Sequence, residues 1–245
     1  MLKEVEGFIL QEIPYKETSK IINVITKDYG LIGIIATGAK SIKSTLRAVS
    51  TKFTYGTFTI HYKKDKLSTL KSVDIIDELI NIKTDLTLVS YASYISELIL
   101  QIAKHEPSHK LYDLFINTIL KINAGLDPLI LTNILETKLL DFLGVGLNLD
   151  SCCKCQNTTQ IVTIDGDVGG YICKNCLTDE IIVSPLTIKM LRMYYYVDIS
   201  SITDLKISNK TKNEINRFLQ TYYDRYTGLY LKSKNFLNKI VALEK

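Results

Sequence analysis

Four cysteines have the spacing in this sequence that most clearly indicates chemistry. They form two CxxC pairs, Cys152 with Cys155 and Cys173 with Cys176, separated by seventeen residues. Two such turns can present four thiolates to one ion, in a tetrahedron with Zn–S bonds of about 2.3 Å. The spacing therefore predicts one zinc ion held by these four residues. Because four sulfur ligands leave no coordination position open, we expect the site to be structural rather than catalytic.

The surrounding residues favour a metal module over disulfides or a chance cluster. Ile161–Ile164 is a β-rich run, Asp165–Gly170 is turn-rich, and Tyr171 and Ile172 lead into the second pair, so a hairpin is predicted between the pairs. Cysteine usage of this kind is typical of a reducing cytosol. Cys153 is predicted to be a spectator thiol, with a ligand exchange or a redox role as the alternative.

No residues in this sequence have the spacing of a catalytic site. His61, His105 and His109 lie far from the cysteines and from any nucleophile motif. His105 and His109 are four residues apart, but Pro107 between them disfavours a shared helical face, so ordinary structural roles are expected. The sequence contains no phosphate loop, GxSxG or HExxH motif. An enzyme is therefore the least favoured class.

Charge is distributed unevenly along the 245 residues. Residues 1–80 carry 12 Lys or Arg against 9 Asp or Glu, residues 81–180 carry 7 against 12, and residues 181–245 carry 11 against 5. Basic ends around an acidic middle suggest a polyanionic partner. We expect no apolar run long enough to span a bilayer. We also expect no signal peptide, because acids interrupt the N-terminus, and therefore a cytoplasmic location.

The first part of the chain has the two-residue period of β-strands. The predicted strands are Val5–Leu10, Ile21–Thr26, Leu31–Thr37, Phe53–Tyr62 and Leu67–Ile76. Five short strands suit a small closed barrel of the oligonucleotide-binding type. Gly7 and Gly56 are predicted to mark bulges or barrel corners.

Basic residues cluster from the third strand to the fifth, with Asp65 as the one acid between Lys40 and Lys71. The candidate nucleic-acid-binding residues are Lys40, Lys43, Arg47, Lys52, Lys63, Lys64, Lys66 and Lys71. Aromatic residues are interleaved with them: Phe53, Tyr55, Phe58 and Tyr62. Cations and aromatic rings together suit a single-strand groove. Strand alternation favours the barrel core for the aromatics, whereas so dense a basic loop favours nucleic acid over a merely solvated surface.

From Thr84 onward the hydrophobic period becomes helical, with Thr84 and Asp85 as candidate caps. Five helices are predicted. The first runs through Tyr91 and Ile102 and is broken by Pro107 and Ser108, and the next two cover Leu111–Ile122 and Pro128–Phe142. The fourth covers Leu186–Tyr196, with Ser184 and Pro185 at its start, and the last runs from a Thr211-x-x-Glu214 capping box to about Tyr230. The sequence therefore predicts an α+β multidomain protein. A five-stranded barrel occupies 1–80, and a helical domain occupies 81–245 with the zinc module inserted at 150–180.

Several motifs resemble the DNA repair protein RecO family across nearly the full chain. The most specific is Thr37-Gly38-Ala39-Lys40 with Lys43-Ser44, which resembles the family's Lys-Gly-Ala-Arg…Ser stretch with Thr37 in place of a basic residue. The other matching segments are Pro14–Ile22, Thr26–Gly30, Leu139–Gly144, Gly169–Cys173, Arg217–Leu219 and Leu231–Leu237. Gln156 stands where the family usually has glycine after the second cysteine.

The resemblance implies an oligonucleotide-binding barrel, a helical domain holding the zinc element, and a role in recombinational repair. Members of the family bind single- and double-stranded DNA, anneal complementary strands, and work with RecR and single-stranded-DNA-binding protein to help load RecA. The expected partners of this chain are therefore DNA, RecR, the acidic tail of single-stranded-DNA-binding protein and, indirectly, RecA. A non-enzymatic mediator associated with the nucleoid is the function it implies.

A second basic region is predicted near the C-terminus. Its residues are Lys206, Lys210, Lys212, Arg217, Lys232 and Lys234. It could take DNA or the acidic tail of the single-strand-binding protein, or it could be a solvated helix face. Acids surround the cysteines, which favours a stabilising role for the zinc module over DNA contact. Two functions remain as alternatives to the DNA-binding mediator: a zinc-ribbon adaptor that binds protein, and an RNA-binding protein.

Overall fold

The structure is a computed structural model that describes residues 1–104 and 108–243. His105 and Pro107, which entered the sequence analysis, lie outside the described residues. The chain divides into two compact units, Met1–Ala124 with Leu231–Lys245, and Gly125–Tyr230. The expected domain boundary at residue 80 lies within the first unit and stays a prediction.

Five strands of the first unit form a closed barrel, as predicted. They are β1 (Leu2–Tyr15), β2 (Ser19–Thr26), β3 (Gly30–Ala36), β4 (Tyr55–His61) and β5 (Ser68–Asp77). Their order around the barrel is β1-β2-β3-β5-β4, and β1 closes it by pairing with both β2 and β4. β3 and β5 pair in parallel, whereas the other neighbours are antiparallel. Alternate apolar side chains such as Val5, Ile22 and Phe58 fill the interior.

Two glycines, one in β1 and one in β4, let the neighbouring strands β2 and β5 approach closely. Gly7 and Gly56 are directly opposite each other where β1 pairs with β4. A Cβ atom on Gly7 would lie 2.7 Å from Cγ1 of Val24, and one on Gly56 would lie 2.5 Å from the backbone oxygen of Asp74. Gly56 also lies at a register shift between β4 and β5. The bulge predicted at Gly56 is therefore present, and Gly7 serves close packing instead.

The described residues contain eight α-helices. They are α1 (Leu46–Val49), α2 (Ile80–Thr84), α3 (Leu86–Ala103), α4 (His109–Asn123), α5 (Pro128–Phe142), α6 (Pro185–Tyr196), α7 (Asn209–Tyr226) and α8 (Lys232–Leu243). In the first unit, Phe8 of β1 packs edge-on against Phe115 of α4, with ring centroids 4.9 Å apart. This contact joins the barrel to the helices that follow it.

Helix caps decide where several of these helices begin. The Asp85 carboxylate accepts a hydrogen bond from the N–H of Leu88, so Asp85 caps α3 as predicted, while Thr84 ends α2. Ser184 caps α6, and Pro185 occupies its first turn, also as predicted.

The capping box predicted at Thr211 is wrong. Ser208 caps α7 and accepts from the N–H of Thr211, because this serine lies one turn earlier and Thr211 is buried inside the first turn. The Glu214 carboxylate instead accepts from the Thr187 hydroxyl. The helix ends at Tyr226 rather than near Tyr230, and α8 follows as a separate helix.

By length and composition alone, α3 is apolar enough to cross a membrane, contrary to the sequence-based expectation. However, 61% of this helix is buried inside the protein, including Tyr94, Ile95 and Leu98. Burial of this extent fits a core helix that packs against α2, α4 and α8 of its own unit.

The second unit contains the cysteine-bearing sheet between α5 and α6. Its strands are β6 (Asn148–Cys152), β7 (Ile161–Asp165) and β8 (Gly170–Cys173), in the order β6-β8-β7. The predicted hairpin is present as β7 and β8, which pair antiparallel. β6, which the sequence analysis did not predict, pairs in parallel with β8. It places the first cysteine pair beside the second.

Candidate functional site

The four cysteines predicted to bind metal come together in one cluster. The sulfur atoms of Cys152, Cys155, Cys173 and Cys176 all lie within 4.8 Å of one another, and those of Cys155 and Cys173 are 3.6 Å apart. Four sulfurs around a zinc ion at about 2.3 Å would be roughly 3.8 Å apart, so the cluster fits such an ion. Cys152 and Cys173 are buried at the strand ends, and Cys155 is exposed. The residues that could hold a metal are therefore those predicted.

Backbone hydrogen bonds fix the first turn of the cluster. The N–H of Cys152 donates to the backbone oxygen of Asn157, and the N–H of Gln156 donates to that of Cys152, both at 2.8 Å. Gln156 has a φ of 62°, in the left-handed region that favours glycine. This conformation is the physical reason why glycine suits this position, although Gln156 removes no ligand.

Backbone N–H groups from both cysteine pairs favour the thiolate form of Cys152. A short 3₁₀ turn carries Lys174–Cys176, and the N–H of Cys173 donates to Sγ of Cys152 at 3.4 Å. Burial raises the pKa of Cys152, but hydrogen bonds from the backbone N–H groups of Cys173, Cys155 and Lys154 outweigh it and lower the pKa to about 6. The thiolate, which is the metal-binding form, is thereby favoured.

A lysine and a glutamate, whose pairing was not predicted from the sequence, tie the two turns together. Lys154 lies between Cys153 and Cys155, and its ammonium donates to the backbone oxygen of Cys176 at 3.2 Å and to Oε1 of Glu180 at 2.6 Å. Hydrogen bonds from Lys154 and from the Thr178 N–H lower the pKa of Glu180 to about 2. The lone Lys inside a CxxC turn, with an acid just beyond the second pair, was the available sequence signal.

Cys153 is not part of the four-sulfur cluster. Its N–H donates to the backbone oxygen of Tyr171 at 2.8 Å, and its sulfur lies 2.7 Å from the position that a Cβ atom on Gly170 would occupy. Burial raises the pKa of this thiol. Cys153 therefore packs against Gly170 outside the cluster.

The basic segment after β3 is anchored to the barrel at defined points. Gly38 has a φ of 69° and turns the chain, after which the side chain of Ala39 enters the barrel core. The N–H of Lys40 donates to the backbone oxygen of Thr18 at 2.8 Å, and Leu46 packs against the core. A fixed backbone thus projects the cations of this segment outward, which lowers the entropic cost of binding a polyanion.

Seven of the eight predicted DNA-contacting cations are exposed: Lys40, Lys43, Arg47, Lys63, Lys64, Lys66 and Lys71. Among residues 1–104 and 108–243, none of the seven forms an ion pair. Lys52 differs, because it is half-buried over the ring of Phe53 in a small cavity that Glu12 and Glu97 also line. Burial lowers its pKa, although the two carboxylates oppose that shift.

The structure separates the four interleaved aromatics into two groups. Phe53, Tyr55 and Phe58 are at most 8% exposed, and Phe58 lies in the barrel core. The prediction of a barrel-core position is therefore confirmed for Phe58, whereas Phe53 and Tyr55 are buried outside that core cluster. Tyr62 is half-exposed, and its ring lies 4.8 Å from that of Tyr29.

The six residues of the second basic region fall in both compact units. Lys232 and Lys234 belong to α8 of the first unit, where the Lys234 ammonium lies 5.4 Å from the ring centre of Tyr94. The other four, Lys206, Lys210, Lys212 and Arg217, belong to the second unit. There, Lys206 pairs with Asp204, Lys210 with Glu214, and the half-buried Lys212 with Asp127 at 2.7 Å. These pairs partly neutralise the region.

The fold and the cluster define a class: proteins with an oligonucleotide-binding type of barrel followed by a helical region that carries a four-cysteine metal module. Residues 1–79 match the family model described as Recombination protein O N terminal, and residues 83–235 match Recombination protein O C terminal. The chain belongs to the RecO family of DNA repair proteins, which confirms the resemblance seen in its sequence.

Curated relatives match over almost their whole length. The chain is 35% identical to the DNA repair protein RecO of Bacillus pumilus (strain SAFR-032), over 100% of this chain and 97% of the relative. It is 34% identical to that of Bacillus subtilis (strain 168), again over 100% and 97%. It is 33% identical to that of Listeria monocytogenes serotype 4b (strain CLIP80459), over 98% and 95%.

Proposed function

We propose that this chain is a non-enzymatic recombination mediator that works on DNA in the cytoplasm. It binds single- and double-stranded DNA, promotes strand annealing, and assists RecA loading together with RecR on DNA covered by single-stranded-DNA-binding protein. Membership of the RecO family along the full chain carries this proposal. The exposed cations of the barrel give it a physical basis.

Phosphate binding is assigned to two basic segments. The first is the anchored segment Lys40–Lys52, and the second is the run Lys63–Lys71 at the β4–β5 turn and the start of β5. Cations that carry no ion pair can release the counterions condensed on DNA, so binding should weaken steeply as salt rises. Annealing needs no catalytic group, because neutralising two strands lowers their mutual repulsion while the bases remain free to pair.

The cysteine cluster is proposed to hold one structural zinc ion. The donor set is four sulfurs at distances that suit a tetrahedral ion, and the Lys154–Glu180 pair links the two turns across it. Zinc would stabilise the sheet of the second unit rather than contact DNA. C173S is therefore expected to lower zinc content and thermal stability more than intrinsic DNA affinity, as measured by metal analysis, thermal unfolding and oligonucleotide binding.

A groove of the second unit is the proposed site for the acidic tail of the single-strand-binding protein. Its volume is about 380 Å³, and Lys206 and Lys212 line it together with apolar residues such as Ile130, Leu131 and Ile202. An acidic peptide with apolar side chains would match this combination of lysines and apolar wall. Asp127 and Asp204 also line the groove and pair with Lys212 and Lys206, so both lysines would have to be shared with the peptide.

One experiment tests the mediator directly. Complementary oligonucleotides are coated with single-stranded-DNA-binding protein, and their annealing rate is measured with and without this chain. Acceleration is expected, and no acceleration would count against the mediator. Competition between DNA and RNA oligonucleotides of matched sequence separates a DNA-binding protein from an RNA-binding one. Binding that is absent or insensitive to salt would favour a protein-binding adaptor instead.

A further inference from the structure

A groove at one end of the barrel combines aromatic rings with cations. It has a volume of about 440 Å³ and lies between the β2–β3 turn and the β4–β5 turn. Its lining includes Tyr29, Tyr62, Lys63, Asp65, Lys66 and Leu67. Tyr62 and the two lysines are among the candidate residues predicted from the sequence, whereas Tyr29 is not.

The two rings form a pair that is already assembled. The ring centroids of Tyr29 and Tyr62 are 4.8 Å apart, and the ring planes meet at 37°. The ammonium of Lys3 donates to the Tyr29 hydroxyl at 2.6 Å and lies 4.4 Å and 4.9 Å from the two ring centres. Lys3 therefore fixes the pair and places a cation beside it.

Backbone contacts hold both tyrosines in place. The N–H of Tyr29 donates to the Thr26 hydroxyl at 3.1 Å, and the N–H of Tyr62 donates to the backbone oxygen of Met1 at 2.9 Å. Both tyrosines pack against the barrel core and remain half-exposed. Rings fixed in this way lose little conformational freedom when a flat ligand stacks on them.

The charges around the groove favour an anionic ligand. Lys3 lies against the ring pair and Lys63 and Lys66 line the groove, whereas Asp65 is the only carboxylate among the lining residues. Lys63 and Lys66 form no ion pair within the described part of the chain. An aromatic face with phosphate-binding cations beside it is the combination that binds single-stranded nucleic acid. Duplex DNA would not fit the rings, because its base faces are covered by their neighbours.

We propose that this groove binds a nucleobase of single-stranded DNA, stacked on the Tyr29–Tyr62 pair, with the adjoining phosphates at Lys63 and Lys66. The inference rests on the proposed function and deepens it, because it separates a single-strand contact from the general phosphate contacts of the segment Lys40–Lys52. Those basic contacts attract any DNA, and the ring pair selects unpaired bases. Annealed product, which offers no free base faces, would then leave this groove.

The chain offers a direct readout, because it contains no tryptophan. In Y62W the indole should keep the stacking surface, and its fluorescence should be quenched by oligo(dT) but not by a blunt duplex of equal length. Y196W is the matched control, since Tyr196 is a 60% exposed ring outside the groove, and neither DNA should quench it. DNA binding is followed in parallel by the anisotropy of labelled DNA.

An affinity measurement adds a second arm. Y29L/Y62L, once its fold is verified by circular dichroism, should lose about fivefold or more in single-strand affinity, with duplex affinity nearly unchanged. Y62W emission that stays constant while anisotropy shows single-strand binding would overturn the inference and leave the proposed function intact. Equal quenching of Y62W by duplex and by single-stranded DNA would likewise overturn the inference and leave the proposed function intact. If the unmodified chain bound no DNA by anisotropy, both the inference and the proposed function would fail.

Discussion

The hydroxyl of Tyr112 donates a hydrogen bond to Oε1 of Glu6 at 2.9 Å, joining α4 to β1 across 106 positions of sequence. Tyr55 of β4 donates to the same oxygen at 2.8 Å. Tyr112 is only 2% exposed, so its hydroxyl has little access to water as an alternative partner. One carboxylate thus links the first strand, the fourth strand and a helix of the same unit.

Removing the Tyr112 hydroxyl should destabilise this unit. We expect Y112F to lower the free energy of unfolding by about 1.5 kcal/mol, which is the lower end of the range for hydrogen bonds to charged groups. The lower end applies because Tyr55 still donates a hydrogen bond to Glu6. Urea unfolding at neutral pH measures the change. Y196F, at a largely exposed ring, is the control. A loss in Y112F no larger than in the control would show that the hydrogen bond contributes nothing net.

The second tyrosine predicts a loss of stability at alkaline pH. Burial, and then the hydrogen bond to Glu6, raises the pKa of Tyr55 to about 12, compared with about 10 in an unfolded chain. Between these values the unfolded chain releases the proton first, so this contribution to stability is complete below about pH 10 and is lost as pH rises toward about 12. Y55F has no such ionisation. The stability difference between the unmodified chain and Y55F should therefore shrink over this window in urea titrations, and a constant difference would contradict the assignment.

Local features of the fold could be predicted from the sequence, whereas long-range partners could not. Strand alternation and the Asp85 and Ser184 caps depend on neighbours a few residues away, and these predictions are confirmed. The Thr211 box failed because Ser208, also a residue type suited to an N-cap, lies one turn earlier, and Thr211 is buried inside the first turn. The two hydrogen bonds that Tyr55 and Tyr112 donate to Glu6 have no local sequence signature, because the three residues meet only after the barrel closes.

The same reasoning explains what could be predicted of the site. The CxxC spacing identified all four clustered cysteines, because a metal site leaves a repeated pattern of residue types. The pairing of Lys154 with Glu180, and of Tyr29 with Tyr62, brings together residues from different turns. Neither pair repeats a spacing. The lone Lys inside a CxxC turn was a weak signal for the first pair, and the Tyr29–Tyr62 pair was recognisable only in the folded chain.

A glycine at position 156 should stabilise the cysteine module. Gln156 has a φ of 62°, a conformation that costs a side-chain-bearing residue roughly 1 kcal/mol and costs glycine little. We expect Q156G to raise the stability of the second unit by up to about 1 kcal/mol, measured by thermal unfolding of the zinc-loaded protein. Q156A separates backbone strain from loss of the side chain. Equal effects of Q156G and Q156A would argue against strain at this position.

The anchored basic segment should contribute phosphate contacts. We expect K40A/K43A/R47A to weaken binding to single- and double-stranded DNA, and to reduce the slope of log affinity against log salt by up to about 2–3, since each phosphate contact contributes about 0.7–0.9. Anisotropy titrations over a range of salt concentrations measure both. K83A/K104A/K110A removes the same charge from exposed lysines elsewhere on the first unit. An equal effect in both triple variants would indicate net charge rather than this segment, and unchanged binding in the first would remove the segment from the proposal.

Glu97 of α3 should hold the first turn of α8. Its carboxylate accepts from the N–H of Lys232 at 3.4 Å, from the N–H of Ser233 at 2.8 Å, and from the Ser233 hydroxyl. These N–H groups lie at the positive end of the helix and have no partner inside it, so a carboxylate there acts as a cap supplied from another helix.

The test compares two changes at Glu97. E97A should destabilise the first unit by about 1 kcal/mol, the typical effect of losing a cap. Amide hydrogen exchange should accelerate in α8 more than in α3, because the hydrogen bonds lost with Glu97 are those to the first turn of α8. E97Q, which keeps an acceptor without its charge, should fall between E97A and the unmodified chain. E78A removes an exposed acid elsewhere on the same unit and should leave exchange in α8 unchanged. Unaltered protection of α8 in E97A would mean that packing on α3 alone holds this helix in place.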